Sequence, residues 1–302
     1  MRVVPLFITL CCIGLLFPAY SAAQGEKEPV QPALDMGLLQ QDLDSGFAQL
    51  DQAFNQDPEL SPEEVYYLGR AVAANILEQY TLYMRNPALI EYLNLICSAL
   101  VLNSAEPAIF NGYHVLLLDT QEINAFATSG GHIFISLGLV EAADSEDTLA
   151  AVIAHEIAHI QLRHGLALMQ NMRLTQDLSA AGARAGDIAA RGTPQQAQSN
   201  LFAGQVREMV NVMVVQGYSQ AQEFEADSLA MDLLVLTGYE PASLIEILQT
   251  LETVQEGHPG GFAKTHPAPA LRIAKAKQTL HQYVPDTRSF RIPRYYRMRG
   301  QY

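Results

Sequence analysis

One pentapeptide constrains the fold of this chain more than any other feature. It is His155-Glu156-Ile157-Ala158-His159, which reads H-E-x-x-H. Residues four apart share one face of a helix, so His155 and His159 can point at a single metal ion. Glu156 lies beside the first histidine, where its carboxylate can accept a proton from a water molecule at the metal. The pattern therefore predicts a helix that carries the first half of a zinc hydrolase site.

The residues on both sides of the motif argue against a chance pattern on a solvated helix. Residues 149–154 are all Leu, Ala, Val or Ile, and Ile160 continues the apolar run on the other side. Two histidines and a glutamate buried together without a metal would carry a large desolvation cost. The flanks therefore favour a buried helix with a metal ion. Ser145 can cap this helix at its start, and Gly165 can end it after His164.

The third ligand is expected on another element, because a catalytic zinc ion keeps three protein ligands and one open position. Glu223-Phe224-Glu225-Ala226-Asp227 lies in a helical pattern at 218–236. Glu223 can bind the metal there, while Asp227, on the same face, can accept the outer N–H of a ligand histidine. Glu225 projects elsewhere and is the weaker candidate. The alternative is a solvated acidic face, because the chain carries a net charge of −14.

The N-terminal segment has the order of a signal peptide. Arg2 precedes an almost unbroken apolar run over 3–17, and Ser21-Ala22-Ala23 offers small residues at a cleavage site. We expect a signal peptide at 1–23 and an exported, periplasmic protein, with an uncleaved membrane anchor as the alternative. The negative net charge argues against nucleic acid as a partner.

The remaining pattern predicts an α+β fold that is mostly helical. A flexible lead and an amphipathic helix are expected at 24–60, the main domain at 61–283, and an arginine- and tyrosine-rich tail at 284–302. The tail either docks on anionic lipid or an acidic partner, or is a solvated end. Within the domain the expected helices are 61–83, 87–102, 145–164, 218–236, 241–251 and 270–283, and the expected strands are 114–118, 123–128 and 132–136.

Three signatures together resemble the gluzincin zinc metallopeptidases, the family that includes the CAAX prenyl endopeptidases, the heat-shock protease HtpX and the periplasmic β-barrel-assembly-enhancing protease. They are the H-E-x-x-H motif extended by Arg163-His164, the segment Glu223-Phe224-Glu225-Ala226-Asp227, and Thr265-His266-Pro267 followed by Arg272-Ile273. Upstream, Asn124-Ala125-Phe126-Ala127 and Gly130-Gly131-His132-Ile133-Phe134 are similar to the substrate-side hairpin of that family. The resemblance spans residues 61–283 and is closest to the soluble exported branch. It departs from the family where Gln220 follows Ser219 and where tandem helical repeats are missing.

The resemblance implies a zincin-type metallopeptidase domain, with a small β-sheet whose hairpin edge lies beside the H-E-x-x-H helix. It implies one Zn²⁺ per chain on His155, His159 and Glu223, with Glu156 as the catalytic base. His266 would either stabilise the oxyanion or occupy the fourth position on zinc and hold the enzyme inactive. A capping or solvent-exposed histidine is the alternative there.

Two further roles follow from the resemblance. Asp227 would accept the outer N–H of a ligand histidine, and Arg272 would support the loop of His266 or the oxyanion, with an ordinary surface arginine as the alternative. The strand that contains His132, Ile133, Phe134 and Ile135 would form the edge of a cleft, on which an extended substrate pairs through its backbone.

The leading interpretation is a zinc-dependent endopeptidase that hydrolyses unfolded or misassembled cell-envelope proteins as quality control. Its partners would be those substrates, with contact to a membrane or to outer-membrane assembly machinery. The alternative is a self-inhibited, chaperone-like binding protein that retains the zinc fold. A purely structural zinc ion is disfavoured, because a site closed by four protein ligands needs no base such as Glu156.

Overall fold

The computed structural model describes residues 60–168, 217–255, 261–280 and 291–299, together with a few positions between 170 and 211. All of them belong to the compact unit Gln40–Tyr302. The predicted signal peptide and amphipathic helix lie outside the described residues. In chain order the elements are α1 (Pro62–Leu77), α2 (Pro87–Leu102), β1 (His114–Leu118), β2 (Ala125–Ala127), β3 (His132–Ser136), α3 (Leu137–Ala142), α4 (Glu146–Gln161), α5 (Gln220–Thr237), α6 (Ala242–Gln255), α7 (Phe262–Thr265), α8 (Pro269–Leu280) and α9 (Arg291–Arg299). The predicted α+β class, mostly helical, is confirmed.

Side-chain caps fix where the long helices begin. Ser61 accepts the N–H of Glu64 and donates its own N–H to the Glu64 carboxylate, which starts α1. Ser145 and Ser219 cap α4 and α5 in the same reciprocal way. Each of these caps uses backbone N–H groups that the helix itself leaves without partners. These three start positions are therefore set locally, by two or three neighbouring residues.

The three strands form one sheet in the order β1-β3-β2. β2 and β3 are antiparallel and joined by a tight turn, which confirms the predicted hairpin. β1 runs parallel to β3 on its other side. The prediction that β3 is a free cleft edge is therefore wrong. Its residues His132, Ile133, Phe134 and Ile135 lie in the central strand and are at most 1% exposed.

Both faces of the sheet are covered, so its strands are apolar on both sides. Leu116, Phe126 and Phe134 pack on one face against α1. Val115 and Ile133 point to the other face, into the larger core that α2, α4, α5 and α6 complete. The predicted end of α1 at residue 83 is wrong, because residues 81–83 extend alongside β1.

Helix α4 runs through the larger core, and its residues from Glu146 to Ile160 are all buried. This confirms the predicted buried helix. Its end differs from the prediction. The helix stops at Gln161, and Arg163, with φ of 56°, makes the left-handed turn that was expected at Gly165. The chain therefore turns back early enough to bring His164 over the last turn of α4.

The C-terminal tail packs on the domain. Residues 291–299 form α9, in which Arg291 and Tyr295 are buried. Arg291 pairs with Asp147, and Arg294 pairs with Glu146, both at the start of α4. The alternative of a solvated C-terminal end is therefore wrong for residues 291–299, because the acidic partners of Arg291 and Arg294 lie within the same chain. No helix within the described ranges is long and apolar enough to cross a membrane.

Candidate metal centre

Four side chains from three parts of the chain meet in the core. His155 and His159 come from α4, Glu223 from the first turn of α5, and His266 from the residue after α7. One donor atom of each lies within 4.8 Å of the others, and all four side chains are buried. The His155 Nε2 atom is 3.0 Å from His159 Nε2 and 3.2 Å from His266 Nδ1. The predicted helical spacing and the predicted third segment therefore converge on one point.

The turn that carries His266 is held by backbone contacts. Tyr218 donates its N–H to Thr265 O at 3.1 Å, and Phe262 donates to Ile123 O at 2.7 Å. A Cβ at Gly217 would lie 1.9 Å from the Thr265 carbonyl oxygen, and φ there is 76°. Only glycine fits such a close approach with a positive φ. These contacts tie the turn to the start of α5 and to the residues before β2.

A buried ion-pair network stands behind the donors. His155 Nδ1 lies 3.0 Å from Asp227 Oδ1. Arg272 donates to both Asp227 oxygens, at 2.8 and 2.6 Å, and its Nη1 is 2.7 Å from Glu223 Oε2. Arg272 is 1% exposed, so these carboxylates provide the charge that balances it inside the protein. Arg272 therefore pairs with these two carboxylates, and its burial excludes the alternative of an ordinary surface arginine.

The network keeps both carboxylates ionised. Burial favours the protonated form of Asp227, but the Arg272 charge and its hydrogen bonds lower the pKa to about 2. Burial acts the same way on Glu223, and the charges of His266 and Arg272 outweigh it, so its pKa is held well below the usual range. An ionised Asp227 only accepts, so Nδ1 of His155 carries the proton.

The donor set fits a metal cation. With a cation bound, His155 would be neutral: its Nδ1–H would donate to Asp227, and its Nε2 lone pair would face the cation among His159, His266 and the Glu223 carboxylate. Burial and Arg272 act to lower the pKa of His155, but hydrogen bonds to Asp227 and Glu223 raise it to about 9. The surrounding carboxylates therefore stabilise a positive charge at this cluster. Imidazole nitrogen and carboxylate oxygen are donors that zinc accepts.

Glu156 is buried beside this cluster and differs from every carboxylate around it. It is 0% exposed, and neither of its oxygens has a hydrogen-bond partner among the described residues. Burial raises its pKa. His266 Nε2 comes within 3.4 Å of one oxygen. A buried polar atom left unpaired is costly and persists at sites with a chemical task.

His266 faces two sets of groups with its two nitrogens. Its Nδ1 atom is 3.1 Å from Glu223 Oε1 and lies among the metal donors. Its Nε2 atom is 3.3 Å from the Ala125 carbonyl oxygen, on β2, and close to Glu156. The ring is also stacked on Phe262, with centroids 4.2 Å apart. The solvent-exposed alternative is therefore excluded, because His266 is 1% exposed.

The resemblance includes His164 without a role for it, and the structure places it beside His159. The Nδ1 atom of His159 is 2.8 Å from His164 Nδ1, and His164 Nε2 is 3.2 Å from Glu225 Oε2. Tyr218 stacks on the His159 ring, with centroids 4.0 Å apart. Helical spacing could not identify His164, because a residue five positions after His159 would point to a different face of an ideal helix.

One predicted group of site residues lies elsewhere. His132 is held by Thr128, 3.1 Å away, and stacks on Tyr66 of α1. Burial lowers its pKa to about 4, so it is neutral near pH 7. Its strand neighbours Ile133, Phe134 and Ile135 are core residues. The structure therefore separates this strand from the metal donors and gives it a packing role.

The chain is similar in sequence to known proteins. Residues 91–280 match the profile described as Peptidase family M48. The chain is 30% identical over 207 residues to the "Beta-barrel assembly-enhancing protease" of Escherichia coli (strain K12), which covers 67% of this chain and 41% of that protein. It is 29% identical over 214 residues to the "Metalloprotease LoiP" of the same strain, covering 70% and 79%. It is 28% identical over 160 residues to the "Mitochondrial metalloendopeptidase OMA1" of Schizosaccharomyces pombe, covering 52% and 43%. The match thus spans about two fifths of the first of these relatives.

Proposed function

The chain belongs to peptidase family M48 and is a zinc metalloendopeptidase, and we propose that it cleaves unfolded or misassembled proteins of the cell envelope. One observation carries the proposal of its mechanism. It is the carboxylate of Glu156, which is fully buried beside the cluster of candidate metal donors and has no hydrogen-bond partner among the described residues. A structural zinc site has no use for such a group, whereas a hydrolase needs a base there.

We assign His155, His159 and Glu223 as the ligands of one zinc ion per chain. Bound there, zinc supplies a Lewis acid that polarises water and a peptide carbonyl. Glu156 takes the proton from the attacking water and passes it to the leaving amine. Its raised pKa suits both steps, because a stronger base accepts the proton and the resulting acid can still release it.

We place the extended substrate against β2. The backbone N–H of Ser136 donates to the carbonyl of Asn124, and the N–H of Thr128 donates to the carbonyl of His132. The backbone groups of Asn124 and Thr128 therefore face β3. The alternate residues, Ala125 and Ala127, then direct their backbone groups away from β3. Pairing through the backbone accepts many sequences, which suits an enzyme for unfolded segments. The contact of His266 with the Ala125 carbonyl lies on this same edge.

Two observations support the envelope and its unfolded proteins as the place and the substrate. Residues 1–23 have the sequence pattern of a signal peptide, which favours export to the periplasm. The name of the Escherichia coli relative connects that protein with the assembly of β-barrels. Contact of this chain with a membrane or with such assembly machinery belongs to the same proposal.

We propose further that His266 occupies the fourth position on zinc in the resting enzyme. Its Nδ1 atom already lies 3.1 Å from Glu223 and 3.2 Å from His155. Substrate must then displace it. Once displaced, the ring remains near Ala125 and Glu156, where an N–H can stabilise an oxyanion. This geometry also favours the second candidate function, a self-inhibited protein that binds unfolded chains without cleaving them.

The test measures zinc content and hydrolysis of an unfolded protein, casein, by the wild-type chain and by Glu156→Gln and His266→Ala. We expect about one zinc ion per chain in all three. Glu156→Gln should lose hydrolysis. Higher activity of His266→Ala at low substrate concentration would support self-inhibition, and lower activity would support the oxyanion role. A chelator should abolish hydrolysis, and added zinc should restore it.

The outcomes separate the two candidate functions. If casein aggregation is suppressed equally by the wild-type chain and by Glu156→Gln, with no hydrolysis by any variant, the binding protein is favoured. If the wild-type chain holds no zinc at any pH between 6 and 9 after incubation with the metal, the proposed function is rejected.

A further inference from the structure

We propose that His164, backed by Glu225, is a positioning residue that holds the ring of His159 in its metal-binding orientation. The inference rests on the proposed function, because it assumes that His159 is a zinc ligand. It concerns two residues outside the proposed ligand set. His164 is 3% exposed, and the side chain of Glu225 is 62% exposed, so the connection runs from the buried site to the surface.

The backbone is shaped to bring His164 into this place. α4 ends at Gln161, and Arg163 adopts φ of 56°, in the left-handed region that residues other than Gly, Asn and Asp seldom enter. Continued helix would direct His164 away from His159, because residues five apart do not share a face. The left-handed turn reverses the chain instead and puts the two Nδ1 atoms 2.8 Å apart.

The hydrogen-bond direction is set from both ends. His159 offers Nε2 to the metal, so its Nδ1 carries the proton and donates it to His164 Nδ1. His164 then carries its own proton on Nε2, which donates to Glu225 Oε2 at 3.2 Å. In this arrangement each ring has one nitrogen that donates and one that accepts. Each of the two hydrogen bonds, from His159 to His164 and from His164 to Glu225, therefore joins one donor to one acceptor.

The two ligand histidines are thereby held by different groups. Behind His155 stands a buried carboxylate, Asp227, itself paired with Arg272. Behind His159 stands a neutral imidazole, and Tyr218 stacks on the same ring with an interplanar angle of 16°. Tyr218 limits the tilt of the His159 ring but leaves it free to turn in its own plane. The hydrogen bond that His159 donates to His164 removes that remaining freedom.

The test compares zinc binding and cobalt spectra of the full chain and four variants. His164→Phe keeps a ring but removes the acceptor, and His164→Asn keeps an acceptor oxygen. Glu225→Gln removes the surface charge. Asp232→Asn is the matched control, because Asp232 is an exposed carboxylate two turns further along α5. Zinc dissociation constants come from competition with a fluorescent chelator, and the Co²⁺-loaded proteins report ligand geometry through their visible absorption.

We expect His164→Phe to raise the zinc dissociation constant roughly 10–100-fold, which is the usual effect of losing such an outer partner. Its cobalt absorption should shift, while circular dichroism shows a folded chain. His164→Asn should recover most of the affinity, Glu225→Gln should weaken binding severalfold, and the control should match the wild type. A change in cobalt absorption distinguishes positioning from a general loss of stability, which leaves the ligand geometry of the folded fraction unchanged.

A folded His164→Phe variant with wild-type zinc affinity and an unchanged cobalt spectrum would overturn the proposal. If that variant does not fold, the variant of the exposed Glu225 provides the test. Equal zinc affinities of Glu225→Gln and Asp232→Asn would then reject the proposal. Failure of the proposed function looks different, because the wild-type chain itself would then bind no zinc. Loss of zinc affinity without loss of hydrolysis in His164→Phe at saturating zinc would confine its role to metal binding.

Discussion

The two ends of α4 bury carboxylates in opposite ways. At its start, Glu146 and Asp147 are each 1% exposed, and all four of their oxygens accept hydrogen bonds. Their partners are hydroxyl, guanidinium and backbone N–H groups, which belong to Tyr92, Tyr239, Glu240, Arg291 and Arg294. Ten residues further on, Glu156 is equally buried, and among the described residues neither oxygen has a hydrogen-bond partner, although His266 Nε2 lies 3.4 Å from one of them.

The difference separates structure from chemistry within one helix. Glu146 and Asp147 also lie at the positive end of the helix dipole, which stabilises their charge, whereas Glu156 lies too far along to benefit. A fully paired buried carboxylate rigidifies the fold. An unpaired one is a liability unless a metal ion, water or substrate completes it. The start of α4 therefore anchors the fold, and its second half has the geometry that the proposed reactive role of Glu156 requires.

The comparison predicts its largest effect at Glu156. Glu156→Gln should lower the rate of casein hydrolysis by about 10²–10⁴-fold, because proton transfer by a positioned side chain contributes that much. The midpoint of thermal unfolding should stay the same or rise, since an unsatisfied buried charge is removed. Calorimetry alongside the activity assay measures both.

The same substitution at the other end is the control. Glu146→Gln should reduce the free energy of unfolding by about 2 kcal/mol, because hydrogen bonds to a charged group are lost. Its activity at a temperature where the protein is folded should remain near that of the wild type. If Glu156→Gln destabilises and Glu146→Gln inactivates, the contrast between the two ends is mistaken.

The anchor at the start of α4 predicts a large stability effect from the C-terminal helix. Arg291→Ala should lower the free energy of unfolding by about 3 kcal/mol, because Asp147 then stays buried without its main partner. Urea unfolding measures this change. In the double variant with Asp147→Asn, most of the loss should disappear, and additive losses would argue against a direct pair.

Acid should weaken the reactive end in a defined pH range. The pKa of Asp227 is 3.8 before folding and about 2 in the folded protein, so folding favours its ionised form. Its contribution, about 2 kcal/mol by the size of this shift, is fully present above about pH 4 and is lost as pH falls toward 2. Urea unfolding of the metal-free protein between pH 5 and 2 should show this loss. An Asp227→Asn variant should lack that part of the slope.

The turn after α4 predicts the smallest effect. Arg163 is exposed and has φ of 56°, which costs about 1 kcal/mol for a residue with a Cβ. Arg163→Gly should therefore leave stability unchanged or raise it by up to that amount, since greater freedom of the unfolded chain offsets part of the gain. Leu162 has helical dihedrals, so Leu162→Gly should instead lower the free energy of unfolding by about 1 kcal/mol. A reversed order in urea unfolding would contradict the assigned turn.

The sequence by itself determined the features that depend on neighbouring residues. The placement of His155 and His159 on one face of α4 follows from their spacing, and the starts of α1, α4 and α5 follow from their serine caps. The bounds of α2, β1 and β3 are those that their residue patterns predict. Glu223 and Asp227 share a face for the same reason. Such features cost little loop entropy and need few contacts from elsewhere, so a local pattern suffices to predict them.

Only the tertiary structure decided which of these elements meet. The parallel pairing with β1 makes β3 central and leaves β2 as the edge beside His266. Arg291 finds Asp147 across 144 residues of sequence, and one left-handed residue brings His164 to His159. Each of these depends on burial and charge balance summed over distant segments. A pattern read over a few residues contains no information about that sum.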